Sequence, residues 1–292
     1  MIEHAFADVN GIKLHYAHSG KGPLIMFLHG FPEYWDIWKE QLEEFGKDHL
    51  AVAPDMRGYN LSSKPAQVKQ YRQKYLVEDI RQLAETLGHK KFVLVAHDWG
   101  GAVAWIFAMF YPQYLDKLVI INSPHPATFE RELRENPAQR KASSYMLLFR
   151  SPEAESVLAA DDYSWLINMA FGEIIKSGVL KDADIKGYKR AWSQPGALTG
   201  GLNYYRAADV EALENPEAAI KKPAAAAMLP KITLPTLVIW GEKDTALLTG
   251  CIRGLDEYVT QLSIKRVPDA SHWVVREKPL LINSLIREFI EQ

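Results

Sequence analysis

Five short apolar runs limit what this chain can fold into. "PLIMFLHG" (23–30), "HLAVAPDMRG" (49–58), "KFVLVAH" (91–97), "DKLVIINSP" (116–124) and "LPTLVIWGEKD" (234–244) each carry a near-continuous apolar stretch that stops at a small or polar turn. Runs of that length without polar alternation read as strands covered on both faces, as in a parallel sheet. Helical spacing fills the gaps. Leu76, Ile80, Leu83 and Leu87 share one face of "YLVEDIRQLAETLGH" (75–89), which Gly88 closes, and "GAVAWIFAMFYP" (101–112) is apolar nearly all round. This β-α-β alternation predicts a mostly parallel sheet with right-handed crossovers and helices on both faces.

The flanks and the middle differ from that pattern. "HAFADVNGIKLHYAHSG" (4–20) alternates about Asn10-Gly11 and predicts a hairpin. "LSIKRVPDASHW" (262–273) predicts a last strand, and "PLLINSLIREFI" (279–290) a closing amphipathic helix. From about 125 to 229 the chain offers helical stretches, many aromatics and no buried strand. The expectation is an α/β core over 1–125 and 230–292, interrupted by a helical lid over 126–229. "PAAAAM" (223–228) is the one low-complexity tract.

At 292 residues, 48% hydrophobic and 24% charged, the chain is long enough for such a domain with an insertion. A net charge of −2 with both signs interspersed gives no pull on nucleic acid or an anionic membrane. Cys251, alone, forms no internal disulfide. "MIEHAFADVNG" lacks a basic-then-apolar leader, and the longest apolar run, Ala102–Tyr111, has 10 residues, too few to span a bilayer. A cytoplasmic monomer or weak homodimer is expected.

The chemistry concentrates at strand ends. Ala96-His97-Asp98-Trp99-Gly100 joins a strand to a helix, with small residues on either side of Asp98. A small-x-nucleophile-x-small turn is the elbow that exposes a nucleophile, although an Asp there also reads as a helix N-cap. Asp244 ends "VIWGEKD", with Glu242 as a competitor, and His272 sits in "VPDASHW". Singly these are a turn residue and a surface histidine. In the order Asp98, Asp244, His272, each after its own strand, they form the triad of an α/β-hydrolase fold. That architecture draws its oxyanion donors from the N–H after the nucleophile, here Trp99, and from the loop "HGFP", here Phe31. His4, His15, His18, His49 and His89 show no carboxylate or elbow context and receive no role. No His/Cys/Glu cluster has ligand spacing, so no metal is implied.

Taken together, "HGFPEYW", "DMRGYNLSSKP", "HDWGG", "WGEKD" and "ASHW" resemble the α/β-hydrolase-fold epoxide hydrolases, from residue 29 to 273. "HDWGG" is shared with haloalkane dehalogenases. The resemblance implies two lid tyrosines that hold the epoxide oxygen. "SYMLLFRSPEAE" (144–155) points to Tyr145 and "GGLNYYRA" (200–207) to Tyr205. Spacing alone does not choose among Tyr145, Tyr163, Tyr188, Tyr204 and Tyr205. Neighbours on a helix lie about 100° apart, so only one of Tyr204 and Tyr205 faces a pocket. Phe149 joins Phe31, Trp99, Tyr145 and Tyr205 as a substrate-lining side chain. Asn60 departs from the Gly of many relatives, outside the motifs that carry chemistry.

An aspartate nucleophile suits attack at saturated carbon. Serine would leave an ether there, whereas a carboxylate leaves an ester that water can cleave at its carbonyl. The implied reaction converts a small-molecule epoxide and water to a vicinal diol, without a cofactor. The alternative is haloalkane dehalogenation. A departing halide needs no proton, only weak donors such as indole N–H groups, for which Trp99, Trp165 and Trp192 are candidates.

Overall fold

The computed structural model describes residues 1–208, 211–215, 217–218 and 228–292. Its strands are β1 (Glu3–Val9), β2 (Ile12–Ser19), β3 (Leu24–Leu28), β4 (Leu50–Pro54), β5 (Phe92–His97), β6 (Leu115–Ile121), β7 (Thr236–Gly241) and β8 (Leu262–Val267). They form one sheet in the order β1-β2-β4-β3-β5-β6-β7-β8. β1–β2 and β2–β4 pair antiparallel, and every other pairing is parallel. Asn10 and Gly11 take φ of 46° and 74°, the paired positive values of a two-residue hairpin turn. All five apolar runs become strands, and the flanking hairpin, last strand and closing helix form as expected.

The helices before the lid region are α1 (Lys39–Phe45), α2 (Gln73–Thr86) and α3 (Trp99–Phe110). Between β6 and β7 lie α4 (Pro126–Glu135), α5 (Pro137–Ala142), α6 (Tyr145–Arg150), α7 (Ala154–Lys176), α8 (Asp182–Trp192), α9 (Ala197–Ala207) and α10 (Glu211–Glu214). The chain ends in α11 (Val274–Glu277) and α12 (Pro279–Ile290). α3 begins two residues before the expected 101, directly after the elbow, and Pro112 opens a separate 3-10 turn. "PAAAAM" lies outside the described residues apart from Met228. Among the described residues, no helix is long and apolar enough to cross a membrane.

Strand pleating splits the core in two. Met26 and Leu28 of β3 face the side of Leu83, Val103 and Phe107, while Ile25 and Phe27 face Trp38, Leu42, Phe45, Ile282 and Ile286. Each such side chain contributes roughly 1.5–3 kcal/mol by leaving water. β5 is covered in the same way, with Phe92, Leu94 and Ala96 on the first side and Val95 on the second.

The lid region meets this core closely. A Cβ on Gly200 in α9 would lie 2.2 Å from the Gly58 carbonyl oxygen, so two bare backbones touch. α7 is broken inside. Asp161, Asp162 and Tyr163 take left-handed φ of 48°, 51° and 65°, costing roughly 1–2 kcal/mol each. Tyr163 packs on Trp192 at 5.4 Å in return.

Candidate active site

β5 ends at His97, and the chain turns into α3 through Asp98, whose φ of 50° and ψ of −123° lie where non-glycine residues are strained. Packing holds that turn. A Cβ on Gly100 would lie 2.4 Å from the Leu28 carbonyl oxygen, and one on Gly30 would lie 2.0 Å from Asp98 Oδ1. Ser123 Oγ, beyond β6, donates to the Asp98 carbonyl at 2.7 Å. The Asp98 side chain makes no capping bond to α3, so the N-cap alternative is not the arrangement found. Instead its Oδ1 accepts from the Phe31 amide at 2.8 Å, and the adjacent Trp99 amide favours the charged carboxylate. Both expected oxyanion donors therefore converge on one carboxyl group.

The Phe31 loop is fixed from beneath by His29. Met56 N–H donates to His29 Nε2 at 3.0 Å, so Nδ1 carries the proton and donates to the Gly30 carbonyl at 2.8 Å. Burial pulls the His29 pKa down to about 4, which keeps this ring neutral.

Asp244 and His272 arrive from the ends of β7 and β8. His272 Nδ1 lies 2.7 Å from Asp244 Oδ2, and its Nε2 lies 3.6 Å from Asp98 Oδ2. Asp244 is fully satisfied. Its Oδ2 also accepts from Asn122 Nδ2 at 2.8 Å, and its Oδ1 accepts from the amides of Ala246 and Leu247 at 2.9 and 2.8 Å. Burial alone would depress the His272 pKa, but the Asp244 and Asp98 carboxylates override it and raise it to about 9. Burial raises the Asp98 pKa, with His272 opposing. Glu242 pairs with Arg266 at the surface and takes no part.

The five lid tyrosines separate cleanly. Tyr205 stands edge-on to Trp99 at 5.0 Å and to Phe31 at 5.5 Å, with Tyr145 at 6.2 Å. Phe149 backs them, at 5.3 Å from Tyr145, 4.9 Å from Tyr205 and 5.2 Å from Phe31. Burial, with the Asp98 charge adding to it, pushes both Tyr145 and Tyr205 well above the ordinary phenol range. Tyr204 turns away and donates to the Arg57 carbonyl at 2.9 Å. Tyr188 donates to Glu33 at 2.7 Å. One side chain links the two tyrosine helices: Arg150, at the end of α6, donates to the Tyr205 carbonyl at 2.5 Å and the Ala208 carbonyl at 3.0 Å in α9.

Other residues bear on the site that the sequence reading did not single out. His97 Nε2 donates to the His272 carbonyl at 2.8 Å, and burial holds that ring neutral. Buried Glu33 also accepts from Arg276 at 3.2 Å and adds to the negative potential on His272. Asn122 and Ser123 follow β6 at the sheet's carboxyl end, the position at which such residues can be sought. Two histidines also need correcting. His15 does have a carboxylate, Asp55 at 2.6 Å, in a buried structural pair that Asn60 joins through its side chain at 2.8 Å. His49 meets Asp48 at 2.8 Å. Neither pair touches the site. Among the described residues, no group of three His, Cys, Asp or Glu side chains is arranged to hold a metal ion.

Residues 23–279 match the alpha/beta hydrolase fold family. The chain is 38% identical over 290 residues to AB hydrolase superfamily protein YfhM of Bacillus subtilis, covering 98% of this chain and 97% of that one. It is 34% identical over 295 residues to Epoxide hydrolase 4 of Mus musculus, covering 97% of this chain and 77% of the relative. Among solved structures, a Bacillus megaterium epoxide hydrolase in complex with an inhibitor superposes with a TM-score of 0.93 at 38% identity, over 99% of this chain and 100% of that one. Fold and site thus define an alpha/beta hydrolase with an aspartate at the elbow. The chain belongs to the epoxide hydrolase family of that fold.

Proposed function

We propose that this protein opens a small-molecule epoxide to a vicinal diol through an ester of Asp98, as a cofactor-independent monomer or weak homodimer. The observation that carries the reading is the convergence of Asp98, the Phe31 amide, His272 and the Tyr145–Tyr205 pair on one space. In the first step Asp98 Oδ2 attacks an epoxide carbon and the ring C–O bond breaks. Tyr145 and Tyr205 hydrogen-bond the leaving oxygen and one supplies its proton. Their raised pKa values keep both phenols protonated donors at neutral pH.

In the second step His272, oriented by Asp244, takes a proton from water, which attacks the ester carbonyl at Cγ. The oxyanion forms on Oδ1, already bonded to the Phe31 amide, with the Trp99 amide as the second donor, each worth about 3–4 kcal/mol to such a charge. Esterification prepares this step. It removes the Asp98 charge that helps keep His272 protonated, so the imidazole becomes available as a base. Breaking the Cγ–Oδ2 bond then releases the diol oxygen, which takes back the proton held on His272, and the proton lost as Asp98 re-ionises restores the tyrosine phenol.

The dehalogenase alternative loses its lid donors. Trp192 Nε1 is committed to the Pro32 carbonyl at 2.7 Å, and Trp165 is 39% exposed on the lid surface. The test is a paired assay: styrene oxide is expected to give diol while 1-bromobutane releases no bromide. Bromide release without diol formation reverses the assignment.

A further inference from the structure

We infer that Gln139, a lid residue remote from the reacting atoms, is a positioning residue for the triad: its amide clamps the turn that holds Asp244. The inference rests on the function proposed above. Gln139 lies in α5 with no exposed surface. Its Nε2 donates to the Ala246 carbonyl at 2.7 Å and to Ser143 Oγ at 2.9 Å. Its Oε1 accepts from the Leu248 amide at 2.9 Å and from Cys251 Sγ at 3.5 Å. Both donors and both acceptor sites of one amide are thereby used.

The gripped turn is the one that fixes the acid. The Ala246 and Leu247 amides point at Asp244 Oδ1, while the Ala246 carbonyl and Leu248 amide point outward at Gln139. Residues 246–248 are thus held between the carboxylate on one side and the lid on the other. A second tie reinforces the first: Arg131 of α4 donates to the Gly250 and Arg253 carbonyls at 2.9 and 2.8 Å. The lid therefore does more than roof the pocket. It sets the distance and angle at which Asp244 meets His272, and hence the basicity of the imidazole.

The charged and titratable groups facing His272 are Asp244, Asp98 and Glu33, with neutral His97 beside them. Gln139 touches none of these groups and acts on Asp244 alone, through the 246–248 turn. Loosening the clamp must weaken Asp244's hold on the imidazolium, so the acid limb of ester hydrolysis moves to lower pH while its plateau falls. A purely structural role would lower stability without moving that limb.

The experiment uses the full chain, stopped-flow alkylation and hydrolysis with styrene oxide across pH, and Gln139→Leu and Gln139→Asn variants. Leu removes every polar contact. Asn keeps a neutral amide one methylene too short to grip Ala246 and Leu248, so it carries the test where Leu does not fold. Expected are an unchanged alkylation rate, hydrolysis slower by about ten- to a hundredfold, and the limb shift. Gln194→Ala, at a lid amide whose solvent-exposed hydrogen bond goes to the Arg190 carbonyl, should change neither step. Unchanged hydrolysis in the Gln139 variants, or parallel loss of both steps with no limb shift, overturns the inference. His272→Gln separates the two layers. An alkyl-enzyme adduct there with normal Gln139 variants sinks the inference alone, while no adduct sinks the proposed function and the inference with it.

Discussion

The Phe31 amide donates to Oδ1 of Asp98 at 2.8 Å, which makes the two oxygens of one carboxylate inequivalent. In the proposed reaction Oδ2, turned toward His272 at 3.6 Å, is the oxygen that attacks. Oδ1 is already where the ester carbonyl oxygen needs its donors. In heavy-oxygen water, one turnover should therefore place label in the Asp98 carboxyl group and none in the diol, read by mass spectrometry of the digested enzyme and of the product. Label found only in the diol would mean that water attacks the epoxide directly.

The tyrosines make a second expectation with an internal control. Tyr205→Phe should slow alkylation by about 10² to 10⁴, the range of a lost general acid, and Tyr145→Phe plus Tyr205→Phe should abolish it. Tyr204→Phe, one residue away, should leave alkylation intact. Its hydroxyl binds the Arg57 carbonyl, so it should instead lower stability by about 1–3 kcal/mol in urea titration. A Tyr204 effect on alkylation equal to that of Tyr205 would reassign the donor.

Acid pH should separate the two steps. Alkylation needs ionised Asp98, whose pKa is raised by burial, so its rate falls with decreasing pH earlier than an ordinary carboxylate dictates. Hydrolysis needs neutral His272. That group has a pKa of about 9 in the free enzyme and loses the Asp98 contribution on esterification. The hydrolysis limb, measured by single turnover across pH, should lie below the His272 pKa of the free enzyme; a limb no lower would mean that the Asp98 charge does not help set the basicity of the imidazole.

Stability should depend sharply on Asp79. Arg57, 2% exposed, meets both Asp79 oxygens, Nη2 to Oδ1 at 2.6 Å and Nε to Oδ2 at 2.7 Å. Asp79→Asn leaves a buried guanidinium without its counter-charge, a loss of about 3–5 kcal/mol in chemical denaturation. A change under 1 kcal/mol would mean that water reaches the guanidinium.

What could be read from the chain was what it encodes locally. Strands announced themselves because burial on both faces demands unbroken apolar runs, and the elbow because Ala96 and Gly100 stand two positions either side of Asp98, where at Gly100 no Cβ fits. α1 went unassigned: its seven residues bury only Leu42 and Phe45 among apolar side chains, and its packing partners Ile37 and Trp38 sit in the preceding 3-10 turn. Contacts that close across the fold were out of reach. The His15–Asp55 pair spans 40 positions, Asn122 to Asp244 spans 122, and Gln139 to the Asp244 turn over 100. Tyr205 was preferred to Tyr204 by resemblance, and the reason visible in space is that Arg57 presents a carbonyl to one of them and not the other.

The bare contact between Gly58 and Gly200 sets the height of the helix that carries Tyr205 above the sheet. A single methyl group at either glycine would jack that helix off its anchorage. In the proposed reaction this seat, and not the side chains that line the pocket, is the gauge of how far the Tyr205 phenol stands from Asp98.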